Sequence, residues 1–292
     1  MRNSLAKVGA YYELSKPRIV ALLLVTTAAA MVMAARGMPP PKLLFWTLLA
    51  GALAAGSAGA LNCVYDADID RIMTRTRLRP IPQGRITKRA ATVYALVAGV
   101  LAFAIFYWLV NPLAAWLSLA GNLYYVFVYT LWLKRLTPLN IVIGGAAGAV
   151  PPLVGWAAVT HTIGGPALGL FALIFLWTPP HFWSLSLVTE LDYAKAKIPM
   201  FPNVYGEERT KREIVYYSLI LLIASLALYP LHIMGALYFG AAALLGGIFL
   251  VDAVRTWRER DGTRYARKLF RYSLAYLALM CAVMVIDRII LT

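Results

Sequence analysis

Polar breaks divide the chain into nine apolar stretches, at about 19–35, 43–64, 91–110, 112–132, 139–159, 166–188, 214–231, 234–254 and 270–291. Each approaches the roughly 20 residues that a helix, rising about 1.5 Å per residue, needs to cross a hydrocarbon core about 30 Å thick. A membrane barrel would instead show alternating segments of about ten residues, and runs such as Leu43 to Leu61 or Ile214 to Leu228 do not alternate. The pattern therefore predicts an all-α fold. Residues 1–292 are expected to form one domain, a polytopic membrane bundle of nine transmembrane helices.

Composition agrees with that expectation. Of 292 residues, 61% are hydrophobic and only 14% charged, whereas soluble domains carry about 25% charged residues. Two cysteines, Cys63 and Cys281, fall in or beside apolar stretches without metal-ligand or disulfide spacing, and read as small packing residues. Laid out on alternating sides, 25 of the 28 basic residues collect on the side of the N-terminus, leaving only Arg36, Lys42 and Arg288 opposite. The positive-inside bias then predicts a cytoplasmic N-terminus and a C-terminus outside. The net charge of +15 is accounted for by topology. Because the basic residues flank spans and form no soluble basic domain, no nucleic-acid partner is expected; membrane lipid is, and some of these cations could attract anionic lipid or an anionic substrate. With no transit-like segment before the first span, a multi-pass protein of a bacterial plasma membrane is expected.

Glycine and alanine are dense in Ala50 to Ala60 and Gly144 to Ala149, where small residues allow close helix approach. Pro138, Pro151, Pro152, Pro179 and Pro180 are expected to kink or break helices near the middle of the chain.

The acidic residues also crowd the inner side, and only Asp287 falls near the outer one. At the inner end of the second span runs Asn62-Cys-Val-Tyr65-Asp66-Ala-Asp68-Ile-Asp70, followed by Arg71, Arg75, Arg77 and Arg79. Four helical residues advance 400°, so Asn62, Asp66 and Asp70 share one face over two turns, and Asp68 points away. Like charges one turn apart repel, and desolvation at a membrane boundary adds to the cost. Two compensations are open at this point. The neighbouring arginines could form an interfacial ion-pair network. Alternatively Mg²⁺, which takes one or two carboxylates and completes its shell with water and phosphate oxygens, could sit there with arginines clamping the phosphates. A second cluster, Glu190-Leu191-Asp192-Tyr193-Ala-Lys195, closes the sixth span on the same side; it could support a second ion or simply be solvated.

These motifs resemble the UbiA superfamily of intramembrane prenyltransferases, and its heme-farnesylating branch in particular. The resemblance covers nearly the whole chain. It rests on Asn62 to Pro82, with its Met73-x-Arg75-Thr76-x-x-Arg79-Pro80 extension, on Tyr129 to Pro138, on Asn140 to Thr160, on Trp177 to Trp183 and on Asp192 to Arg212. Leu191 and Lys197 depart from the branch's second motif, where an acid and a glycine are usual.

The resemblance implies transfer of farnesyl from farnesyl diphosphate to a vinyl group of heme B, giving heme O and diphosphate. It implies Mg²⁺ held by Asn62, Asp66, Asp70 and Asp192, with Glu190 in support. Arg75, Arg79 and Lys195 would stabilise the leaving group. Tyr65, Tyr129 and Tyr193 would bind substrate, and the rings of Tyr65, Tyr124, Tyr125, Tyr129, Phe182 and Trp183 could face an allylic cation. His181, inside the sixth span, would contact heme or hydrogen-bond a carbonyl freed by the prolines, whereas His161 and His232 lie at outer boundaries. A downstream heme A synthase or terminal oxidase assembly would receive the product. Two other functions use similar features: a sister prenyltransferase acting on an aromatic or quinone-precursor acceptor, and a multi-pass transporter, which would place its ionisable groups near mid-bilayer.

Overall fold

A computed structural model describes residues 2–290, with side chains from residue 7 onward. Leu291, the end of the ninth stretch, lies outside the described residues, and so does the side chain of Arg2. Among the described residues the fold is all helix, with no strand. A short helix, α1 (Arg2–Leu14), leads into α2 (Pro17–Ala35) and α3 (Pro41–Tyr65), which is followed by the short α4 (Ala67–Ile72). Next come α5 (Lys88–Val110), α6 (Pro112–Leu136), α7 (Asn140–Thr160) and α8 (Gly165–Val188). Two short helices, α9 (Glu190–Lys195) and α10 (Phe201–Tyr205), precede the last three long ones, α11 (Glu207–Ala227), α12 (Ala236–Arg258) and α13 (Arg264–Ile290).

Eight of these helices are long and apolar enough to cross a membrane, and the chain is a multi-pass membrane protein. The stretch expected at 214–231 begins in α11, which ends at Ala227 and whose first two turns carry Glu207, Glu208, Arg209, Lys211, Arg212 and Glu213. Its apolar part begins at Ile214, so it is shorter than the others. Lys211 is buried there and donates to the Glu259 carbonyl at 3.0 Å, tying the charged start of α11 to the loop after α12.

Packing follows the small residues. α2 lies against α7, α3 against α5, and α8 against α7, α11 and α13. Gly155 touches the Thr27 carbonyl so closely that a Cβ would collide with the α2 backbone. The proline pairs Pro151-Pro152 and Pro179-Pro180 lie inside α7 and α8, and both helices run through them without a break. In α8, Ser184 turns its hydroxyl onto the Pro180 carbonyl and Thr178 bonds the Ile174 carbonyl at 2.7 Å, supplying local hydrogen bonds around the pair. Two stretches, Phe106–Val110 and Tyr124–Leu133, wind as π-helix; the second lies beside the acidic motif.

On the far side, Asp287 near the end of α13 is buried and accepts from the amides of Gly235 at 2.6 Å and Tyr238 at 3.0 Å. That carboxylate is thus a cap for α12, placed where a helix N-terminus favours negative charge.

Candidate functional site

The acidic motif straddles a junction between two helices. α3 ends at Tyr65, Asp66 stands at the junction with ψ 2°, and α4 restarts at Ala67. Hydrogen bonds nevertheless bridge the break: the Asp66 amide bonds the Asn62 carbonyl at 2.9 Å and the Asp70 amide bonds the Asp66 carbonyl at 2.7 Å. Asn62, Asp66 and Asp70 therefore remain one turn apart, and all three are buried.

Buried carboxylates need cations, and each finds one. Lys134, at the end of α6, pairs with Asp66 Oδ2. Arg79 grips Asp70 through both oxygens, at 2.9 and 2.8 Å. Asn62 organises the neighbourhood: its Nδ2 donates to Asp66 Oδ2 at 2.8 Å and to Thr130 Oγ1 at 3.2 Å, and its Oδ1 accepts from Lys16. Burial pushes the Lys16 ammonium below the ordinary lysine range even though Asp66 and Asp70 pull the other way. Of the arginine run proposed as compensation, Arg79 supplies an ion pair to this carboxylate face. Lys134 and Lys16 come from 68 and 46 residues away in sequence. The available signal for Lys134 was its position: with Arg135 it forms the sole basic pair between the fourth and fifth apolar stretches, on the same side as the acids.

Asp68 points outward as expected and forms a fork with Arg135 at 2.8 Å through both oxygens. That hydrogen bond is the main cause holding the Asp68 carboxyl down at about 2. Arg135 also donates to the Tyr65 carbonyl at 2.9 Å. Tyr65, Asp68, Thr130 and Arg135 line a groove of about 390 Å³ on this outer flank.

One oxygen in the centre has no partner. Asp66 Oδ1 is sealed from solvent and receives no hydrogen bond. An unsatisfied buried carboxylate oxygen is costly, and here it lies beside a second carboxylate one turn away. Among the described residues no group of three or more acidic, His or Cys side chains gathers to hold a metal on its own. Mg²⁺ does not require one, because it binds through one or two carboxylates and takes phosphate and water oxygens for the rest. The donor set fits that ion.

The second motif reaches the first through an apolar seam. Buried Tyr193 of α9 packs in one cluster with Ile69 and Met73 of the first motif, with Tyr129 and Phe182 against it. Tyr129 lies over Gly144, where any Cβ would run into its ring; a glycine in α7 thus makes room for the aromatic wall of the site. Asp192 is half-buried, Lys195 and Arg75 are exposed, and none of the three forms an ion pair among the described residues. Glu190 is pushed up by partial burial and by Glu207 nearby, against the pull of Lys211.

Trp183 and His181 are both buried in the packing of α8. Trp183 is core, packed on Phe201 at 4.7 Å and Tyr217 at 5.3 Å between ring centres. His181 faces α13, sandwiched between Trp177 at 4.1 Å and Phe270 at 4.8 Å. Its Nδ1 lies 2.6 Å from Ser273 Oγ, not on a carbonyl freed by the prolines. The Ser273 hydroxyl itself donates to the Phe270 carbonyl at 2.7 Å. With that proton donated, the Ser273 oxygen is placed to accept from His181 Nδ1–H, the tautomer that keeps the lone pair on Nε2.

The model of the UbiA prenyltransferase family matches residues 23–275. Among curated relatives, the protoheme IX farnesyltransferase of Synechocystis sp. is 54% identical over 284 residues, covering 97% of this chain and 90% of the relative. That of Rippkaea orientalis is 50% identical over 99% of this chain and 90% of its own length. Among solved structures, a digeranylgeranylglyceryl phosphate synthase superposes with TM-score 0.81 at 18% identity, covering 97% of this chain and 99% of that one. A UbiA homolog from Archaeoglobus fulgidus bound to GPP and Mg²⁺ gives TM-score 0.68 at 19% identity, covering 94% of this chain and 99% of that one.

Proposed function

Starting from a chain that belongs to the UbiA prenyltransferase family, we propose that this prenyltransferase moves a farnesyl group from farnesyl diphosphate to a vinyl group of heme B, giving heme O and diphosphate. The observation that carries the chemistry is the unpartnered Asp66 Oδ1, buried beside Asp70 among cations drawn from three separate segments. The choice of acceptor rests on the full-length similarity to protoheme IX farnesyltransferases.

In this reading Asp66, Asp70 and Asp192 would hold Mg²⁺, and Asn62 positions Asp66. When bound, Mg²⁺ neutralises charge on the diphosphate. Lys134, Arg79, Arg75 and Lys195 receive the phosphate oxygens, Arg75 and Lys195 being free to do so without first giving up a partner. The allylic C–O bond then breaks, and its electron pair leaves with diphosphate. The farnesyl cation adds to the terminal vinyl carbon. Water captures the resulting carbocation beside the porphyrin and loses a proton, completing the hydroxyethylfarnesyl group. Tyr129 and Tyr193 line the path of the cation, Tyr65 flanks it from the outer groove, and the apolar seam between the motifs keeps water away until the new carbon–carbon bond exists. His181, its proton fixed on Nδ1, offers Nε2 to the heme iron. The membrane is that of a bacterial plasma membrane, and a downstream heme A synthase or terminal oxidase takes the product.

Purified protein incubated with heme B, farnesyl diphosphate and Mg²⁺, with products read by mass spectrometry, tests this directly. Expected is a farnesylated heme whose formation a chelator stops. Prenylation of an aromatic acceptor in place of heme would keep the site and overturn the acceptor.

A further inference from the structure

Away from the acidic motifs, the end of α12 and the first two turns of α13 border an open pocket of about 1000 Å³. Five cationic side chains line it: Arg255, Arg264, Arg267, Lys268 and Arg271. No carboxylate does. Arg255 at 3.3 Å and Lys268 at 2.8 Å share one oxygen, Oδ1 of buried Asp252. Glu259, in the adjoining loop, is spent on the amides of Arg264 at 3.1 Å and Tyr265 at 3.0 Å. Arg267 reaches only Thr263, at 3.3 Å, and Arg271 has no ion pair among the described residues. Positive side chains in the opening turns of a helix also face the positive end of its macrodipole. All five cations are exposed, and together with the helix dipole they give the pocket a positive field that attracts an anion.

Its surroundings specify the kind of anion. The pocket sits where two apolar helices end, at the depth of lipid headgroups, with Trp257 exposed nearby and Tyr265 and Tyr272 in its wall. One to three turns further into the bilayer, Leu244, Ile248 and Val251 of α12 are exposed. Charge above and an apolar surface below match an amphiphile. The volume exceeds that of a single phosphate. We propose that this pocket is a binding site for an anionic phospholipid, best filled by a headgroup with two phosphates, and that it is separate from the acidic motifs. Basic pockets between membrane helices on the cytoplasmic side bind such headgroups in general.

The test uses the full chain in detergent, with native mass spectrometry after addition of cardiolipin, phosphatidylglycerol or phosphatidylcholine. Wild-type protein is expected to retain cardiolipin most strongly and phosphatidylcholine least. The double variant Arg267→Gln with Arg271→Gln should bind cardiolipin about 30-fold more weakly, with phosphatidylcholine binding and prenyl transfer in lipid-free detergent unchanged. Equal cardiolipin retention by both proteins, or equal retention of neutral and anionic lipid, would overturn the proposal. So would displacement of cardiolipin by farnesyl diphosphate or by inorganic phosphate alone. An inactive wild-type protein that still retains cardiolipin would count against the catalytic reading only.

Discussion

The two acidic motifs reach the same seam by opposite means. In the first, the buried carboxylates are paired, Asp66 with Lys134 and Asp70 with Arg79, with Asn62 positioning Asp66 and a backbone bridge across the α3–α4 break, while the exposed Asp68 pairs with Arg135. In the second, Asp192 and Lys195 form no ion pair among the described residues, on a helix of six residues held by the buried ring of Tyr193 and the bond from Asn203 to the Glu190 carbonyl. The contrast separates two tasks. Groups that must keep a fixed geometry are buried and locked, at a cost in desolvation; groups that close over a substrate stay solvated and free to move.

The largest effect should come from the locked side. Asp66→Asn or Asp70→Asn is expected to lower product formation about 10³-fold while the protein stays inserted and helical by circular dichroism; near-normal turnover in both would remove the metal assignment. Lys134→Met leaves Asp66 buried without its cation and should destabilise the fold by about 3–5 kcal/mol, read as an earlier thermal transition in detergent. Lys195→Ala, by contrast, should leave the transition within about 0.5 kcal/mol and act on KM for farnesyl diphosphate. If both lysine variants unfold alike, the locked and free descriptions collapse into one. Asp192→Asn sharpens the contrast further: activity should fall by about 10²-fold with no change in stability, a split that a structural carboxylate would not show.

The smallest effect is in pH dependence, and its sign differs between the motifs. Asp68 is held at about 2, below its ordinary value of 3.8. The stability it contributes is therefore complete above about 3.8 and is lost as pH falls through about 2. Glu190 is shifted upward. Its contribution is complete below the ordinary glutamate value and is lost as pH rises through the raised one. Acid unfolding followed with Asp68→Asn and Glu190→Gln should separate the two limbs: the first variant removes the loss at low pH, and the second removes the loss on the way up.

The helices were largely legible in the sequence because hydropathy and length decide them. So was the face that joins Asn62, Asp66 and Asp70, because four-residue spacing survives even where the helix breaks. The break itself was not, since Ala67 to Ile72 has ordinary helical residues. Nor were Lys134 and Lys16: pairing across 68 and 46 residues depends on which helix ends meet, which periodicity does not encode. The π-helical winding of Tyr124–Leu133, which helps aim Tyr129 and Thr130 at the motif, likewise left no mark in the spacing. His181 was visible as an intramembrane polar residue needing a partner, but its partner, Ser273, lies 92 residues on.

The cap that Asp287 places on α12 has a consequence for biogenesis. Until α13 is made, the amides of Gly235 and Tyr238 lack their buried acceptor, and α12 would meet the lipid with that end unsatisfied. The last two spans should then leave the insertion machinery together, as one hairpin. A ribosome stalled before Asp287 is synthesised should hold a nascent chain whose final helix still crosslinks to the translocation channel.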